Sequence, residues 1–113
     1  MNEKVVEMLN AARARELTAI QQYMIQHYEL EDSDFGKLAD KLKAIGIQEM
    51  KHAEALAERI LFLGGSPTTK PDGKAGKGMS IEEMMKADVT LEAEAVKMYN
   101  ESARACAELG DHI

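Results

Sequence analysis

Tryptophan is absent from these 113 residues, and three Tyr and two Phe are the only aromatic side chains. That excludes a large aromatic core and a platform on which nucleic-acid bases could stack. Positive charge is also scarce. Fourteen Lys and Arg stand against 20 Asp and Glu, a net charge of −6, which argues against nucleic acid as a partner and suits a surface that attracts cations. The single cysteine, Cys106, has no internal disulfide partner and points to a reducing compartment. No apolar run nears the roughly 20 residues that span a bilayer. Met1-Asn2-Glu3-Lys4 leads directly into an amphipathic pattern, without the features of a signal peptide. The expectation is one cytoplasmic domain with no membrane segment.

With only two prolines and abundant Ala, Glu, Lys, Leu and Met, the chain favours helix. Its periodicity predicts an all-α domain over residues 1–113, with helices over about 3–30, 35–63 and 80–109 and a long loop over 64–78. The first seam reads Val5, Leu9, Ala12, Glu16, Ala19, Ile20 and Tyr23. The second reads Leu38, Leu42, Ile45, Glu49, His52, Leu56, Ile60 and Leu63. Ser33 or Asp34 suits the N-cap of the second helix, and Gly64-Gly65 its stop. The loop holds both prolines and five of the eight glycines. Ser80 with Glu83 forms a capping box for the third helix. The third seam runs Ile81, Met85, Asp88, Glu92, Ala95, Tyr99, Ser102, Cys106 and Leu109, where Cys106 reads as a buried thiol.

Each seam is interrupted by polar residues. Glu49 and His52 stand three apart and share a helical face, where a carboxylate and an imidazole can hold one metal ion together. Glu16 lies about 16 residues before the turn at Asp32, and Glu49 about 16 after Ser33. At about 1.5 Å of rise per residue the two reach the same level of an antiparallel hairpin. Glu92 reaches that level whether the third helix runs antiparallel or parallel to the second, because fifteen extended residues reach about 50 Å. A single buried carboxylate has an ordinary explanation as a satisfied side chain, and Asp88 fits best as a supporting or capping carboxylate. Glu16, Glu49, His52 and Glu92 together need a compensating cation of charge two or more. Their mixed donors suit iron or manganese.

Outside that level, a second stripe of Gly46, Met50, Ala53, Ala57 and Leu61 suggests a close helix–helix approach from another protomer. His27 and His112 read as surface residues.

Glu16-Leu17-Thr18-Ala19-Ile20-Gln21-Gln22-Tyr23, Glu49-Met50-Lys51-His52-Ala53-Glu54 and Glu58-Arg59-Ile60-Leu61-Phe62-Leu63 resemble bacterioferritin, of the ferritin-like superfamily, as does the segment from Asp88 to Glu92. The resemblance covers nearly the whole chain. It implies a ferroxidase that oxidises Fe(II) with O₂ or H₂O₂ at a di-iron centre and stores the product in a hollow oligomer. Glu16, Glu49 and His52 would hold one iron, with Glu49 bridging. Glu92 would bind the second and Tyr23 would lie nearby. Met50 matches the family's haem ligand, contributed by two subunits across a twofold axis. The long loop becomes a crossover, so that the third helix runs parallel to the second.

In the family a fourth helix carries a second Glu-x-x-His and a short fifth helix lines a channel, whereas this sequence stops at Ile113. The expectation is therefore a ferritin-like three-helix protomer whose bundle and di-iron site are completed by oligomerisation, in a shell of about twelve subunits. Two other readings compete. One is a haem-binding or structural helical oligomer with a vestigial metal site. The other is a rubrerythrin-like peroxide-reducing protein, which would want rubredoxin-type cysteines.

Overall fold

A computed structural model describes residues 2–31 and 35–108, with side chains described as far as residue 104. Three helices account for most of them: α1 (Asn2–Glu31), α2 (Gly36–Phe62) and α3 (Ile81–Glu108). They fall within two residues of the predicted bounds. None of the described helices is long and apolar enough to cross a membrane.

α1 is the central element. α2 packs along it antiparallel, and α3 packs on its other flank, while α2 and α3 make no backbone contact with each other. The connection between α2 and α3 decides the direction of α3. α2 ends in a Schellman arrangement: the Gly65 N–H donates to Ile60 O at 2.9 Å and the Gly64 N–H to Leu61 O at 3.0 Å. Gly64 carries the positive φ of +83° that such an end requires. A Cβ at Gly65 would sit 2.6 Å from Val6 Cγ1, so only glycine lets the chain turn so close to α1.

From there the loop climbs alongside α1, tied to it rung by rung. Asn10 Nδ2 donates to Ser66 O (3.0 Å) and accepts through Oδ1 from the Thr68 N–H (2.8 Å). The Thr18 hydroxyl donates to Asp72 Oδ1 (2.6 Å) and accepts from the Asp72 and Gly73 N–H groups, both at 3.0 Å. Gln22 Oε1 accepts from the Gly76 N–H at 2.9 Å. The loop thus delivers Ser80 to the far end of α1. There the Ser80 N–H donates to Glu83 Oε1 (3.0 Å) and the Glu83 N–H to Ser80 Oγ (3.2 Å), completing the capping box. α3 consequently runs back antiparallel to α1 and parallel to α2. Spacing alone left both directions open.

Three expectations need revision. The face that α3 turns to α1 is Met84, Asp88, Leu91, Ala95, Met98 and Ser102, of which Met84, Asp88, Leu91 and Ser102 are buried. The predicted seam shares Asp88, Ala95 and Ser102 with this face but takes Met85, Glu92 and Tyr99 from its flank in place of Met84, Leu91 and Met98. Glu92 on that flank is exposed. The small-residue stripe of α2 does not face a partner at Gly46 and Ala53. Ala53 is buried, and a Cβ at Gly46 would lie 3.0 Å from Met24 Sδ and 3.6 Å from Tyr23 Cβ, so these residues admit α1. His27 is buried rather than on the surface, with Nδ1 2.7 Å from Ala39 O. The carbonyl can only accept, so Nδ1 carries the proton. His27 stands four residues past Tyr23, one step further along the same seam. Ser33, Asp34, His112 and the Cys106 side chain lie outside the described residues.

The core divides in two. Ala19, Tyr23, Leu42 and Leu91 belong to one apolar cluster, and Val5, Leu9, Ala12, Leu56 and Ile60 form another. The level between them holds Glu16 and Glu49.

Candidate metal centre

Glu16 enters this level from α1 and Glu49 and His52 from α2, since i, i+3 residues of a helix project from one face. Donor atoms of Glu16, Glu49 and His52 lie within 4.8 Å of one another. His52 Nδ1 is 3.8 Å from Glu16 Oε2 and 3.6 Å from Glu49 Oε2. Those separations are too long for hydrogen bonds. They suit a shared ion, because two bonds of ~2.1 Å hold their donor atoms ~3.0–4.2 Å apart. Glu16 and Glu49 are buried, 2% and 8% exposed, whereas the His52 side chain is 52% exposed and forms the open side of the group.

Glu16 is the deepest member. Its Oε1 accepts a 2.6 Å hydrogen bond from Tyr99 Oη, while Oε2 is buried with no hydrogen-bond partner. A buried carboxylate oxygen left bare is costly. Here it lies near a second carboxylate and an imidazole, both donor types that bind metals, so the residues present fit a divalent cation. Burial pushes the Glu16 carboxyl above its usual range, and the Glu92 charge adds to the rise. The Tyr99 hydrogen bond and His52 pull the other way.

Glu92 is not brought into the three-residue group. Its Oε1 accepts from Tyr23 Oη at 2.7 Å, which places it beside the group on the α3 side. Tyr23 itself is buried, 2% exposed. Burial raises the ionisation of Tyr23 and of Tyr99 far above the ordinary phenol value, and their carboxylate partners raise it further. Both therefore remain neutral donors. One turn before Glu92, Asp88 is 8% exposed and its Oδ1 accepts from Gln26 Nε2 at 2.8 Å. Burial lifts the Asp88 carboxyl to about 6 against an opposing pull from Gln26, and Glu92 adds to the lift. Tyr23, Leu42, Asp88 and Glu92 line an apolar groove of about 400 Å³ between α2 and α3. Met50 follows Glu49 by one residue, about 100° around α2, and is 41% exposed.

The ferritin-like domain family matches residues 6–113. Bacterioferritin of Desulfovibrio desulfuricans is 48% identical over 97% of this chain and 62% of its own length. That of Rhodobacter capsulatus is 41% identical over 97% of this chain and 68% of its own. The chain belongs to the bacterioferritin family.

Solved bacterioferritins share the fold as well. The D. desulfuricans structure, which has a diiron site in different catalytic states, superposes with a TM-score of 0.95 at 47% identity, over 97% of this chain and 64% of that one. The R. capsulatus structure, with a metal-free dinuclear site and haem iron in a crystallographic special position, gives 0.90 at 41%, over 96% and 68%. This bacterioferritin-family chain spans 62% of the length of the D. desulfuricans relative.

Tyr99 is the member of the constellation that the sequence reading did not single out. Its one signal is position: seven residues beyond Glu92, two helical turns on, it shares Glu92's face of α3. A tyrosine beside apolar neighbours reads equally well as core.

Proposed function

We propose that this chain binds and oxidises Fe(II) as an iron-storing, iron-detoxifying bacterioferritin. The observation that carries the reading is the bare, buried Glu16 Oε2 facing Glu49 and His52. Iron is the substrate. Glu16, Glu49 and His52 would take one Fe(II) and Glu92 a second, the carboxylates neutralising charge that the apolar clusters above and below could not. Two Fe(II) give up one electron each. H₂O₂ with two protons accepts the pair and leaves as two waters, while O₂ with two protons leaves as H₂O₂. The protein holds the ions at a fixed level, and Tyr23 steadies Glu92 through its hydroxyl. Of the three grouped donors His52 is the one open to solvent, so ions would enter and leave on its side.

A second copy of the chain would cover the apolar groove between α2 and α3, beside Asp88 and Glu92. The assembly would be a homo-oligomer in the cytoplasm, with a shell of about twelve as the working size. Haem would be held by Met50, a half-exposed thioether of the kind that can ligate haem iron. Paired across a twofold axis, two such residues would hold one haem, which supplies a one-electron redox centre when bound.

Mixing Fe(II)-loaded protein with O₂ and following ferric absorbance tests this reading. Loss of a first ligand should cost more than the ten- to hundredfold typical of outer ligand partners, so Glu49→Ala should slow the rapid phase by more than about a hundredfold. Unchanged oxidation in that variant would overturn the iron-oxidising reading. The exposed Met50 favours a second reading, a haem-binding oligomer that does not oxidise iron. A haem band lost in Met50→Leu, from a protein with no rapid Fe(II) oxidation, would favour it.

A further inference from the structure

We propose that Tyr99 is a positioning residue, whose hydroxyl makes Glu16 a one-oxygen ligand aimed at Glu49 and His52. The inference rests on the metal-centre reading and adds to it a residue outside the donor set. Two tyrosines cross between α1 and α3 in opposite senses: Tyr23 of α1 donates to Glu92 of α3, and Tyr99 of α3 donates to Glu16 of α1. The second bond, at 2.6 Å, is short and charge-assisted. It engages Oε1 and fixes the rotation of the carboxylate, so that the oxygen without a hydrogen bond, Oε2, is the one turned toward His52.

Packing does not account for the hydroxyl. The Tyr99 ring lies against the Leu9 and Leu56 cluster, a role that phenylalanine fills equally well. Its outer side shares a cleft of about 360 Å³ with His52, Leu56 and Arg59. Tyr99 therefore stands at the open side of the centre with its polar atom turned inward to Glu16. α3 reaches the deepest ligand of α1 by this contact, even though α2, which carries the other two, does not touch α3 at the backbone.

The test is Co(II) titration of the purified protein and of Tyr99→Phe, read by affinity and by the visible d–d bands, whose intensity rises as coordination number falls. The variant keeps the ring, and matched thermal transitions confirm equal folding. Affinity is expected to fall about tenfold, as for other partners that orient a ligand. The bands should weaken, because the released Oε1 lets Glu16 bind through both oxygens. Affinity within twofold of wild type together with an unchanged spectrum would overturn the role of Tyr99 while leaving the metal centre standing. Absence of Co(II) binding in the wild-type protein would overturn the centre, and the inference with it.

Discussion

Raising Co(II) to a hundred times its dissociation constant should stabilise the wild-type chain by about 2.7 kcal/mol, and Glu16→Ala should abolish that gain. The effect is large because Glu16 is both the most buried donor and the one with an oxygen left bare. An ion that binds the folded chain satisfies Oε2 and offsets a charge that burial disfavours. The unfolded chain offers no comparable site, so the binding free energy appears as stability. Protons compete for the same oxygen. Burial holds the Glu16 carboxyl above its ordinary 4.5, so Co(II) affinity should already be falling while the pH is still above that value. Thermal melts with and without Co(II) read the result. A stabilisation that persists in Glu16→Ala would place the cation elsewhere.

Asp88→Asn carries the second large effect, in metal-free buffer and of opposite sign. The Asp88 carboxyl is raised from 3.8 to about 6, so the folded chain holds this proton more tightly than the unfolded chain. The stability it contributes is complete below about pH 4 and is lost as the pH rises through about 6. Two pKa units at 1.36 kcal/mol each amount to about 3 kcal/mol. The amide stays neutral throughout and keeps an acceptor for Gln26 Nε2. It also adds a donor where Asp88 Oδ2 and Gln26 Oε1 are both buried without hydrogen-bond partners. Urea unfolding should therefore show Asp88→Asn more stable than wild type by up to about 3 kcal/mol at pH 7.5, and nearly equal to it at pH 3.5. An equal gain at both pH values would mean that the ionisation of Asp88 is not its source.

Three helices, a long loop and a polar level inside an apolar seam could all be read from residue order. Each depends on what lies within a few positions: Ser80 with Glu83, Glu49 with His52, and Gly64-Gly65 with the Ile60 and Leu61 carbonyls are local sets whose geometry the helix itself dictates. Glu16 and Glu49 met as expected because an antiparallel hairpin converts sequence distance from its turn directly into height. The Gln22–Gly76, Thr18–Asp72 and Asn10–Thr68 hydrogen bonds, which lead the loop up α1 and so settle the direction of α3, join residues more than fifty positions apart and leave no periodic trace. The same distance hid Tyr99, which touches Glu16 from 83 residues away. It hid the orientation of α3 too, where Met84, Leu91 and Met98 compete with Met85, Glu92 and Tyr99 for the inward face. Both sets have helical spacing, and only the flank of α1 on which α3 lands decides between them. Sequence determined which side chains can share a helical face; tertiary structure decided which face turned inward, because that choice depends on partners the chain meets only after it has crossed the bundle.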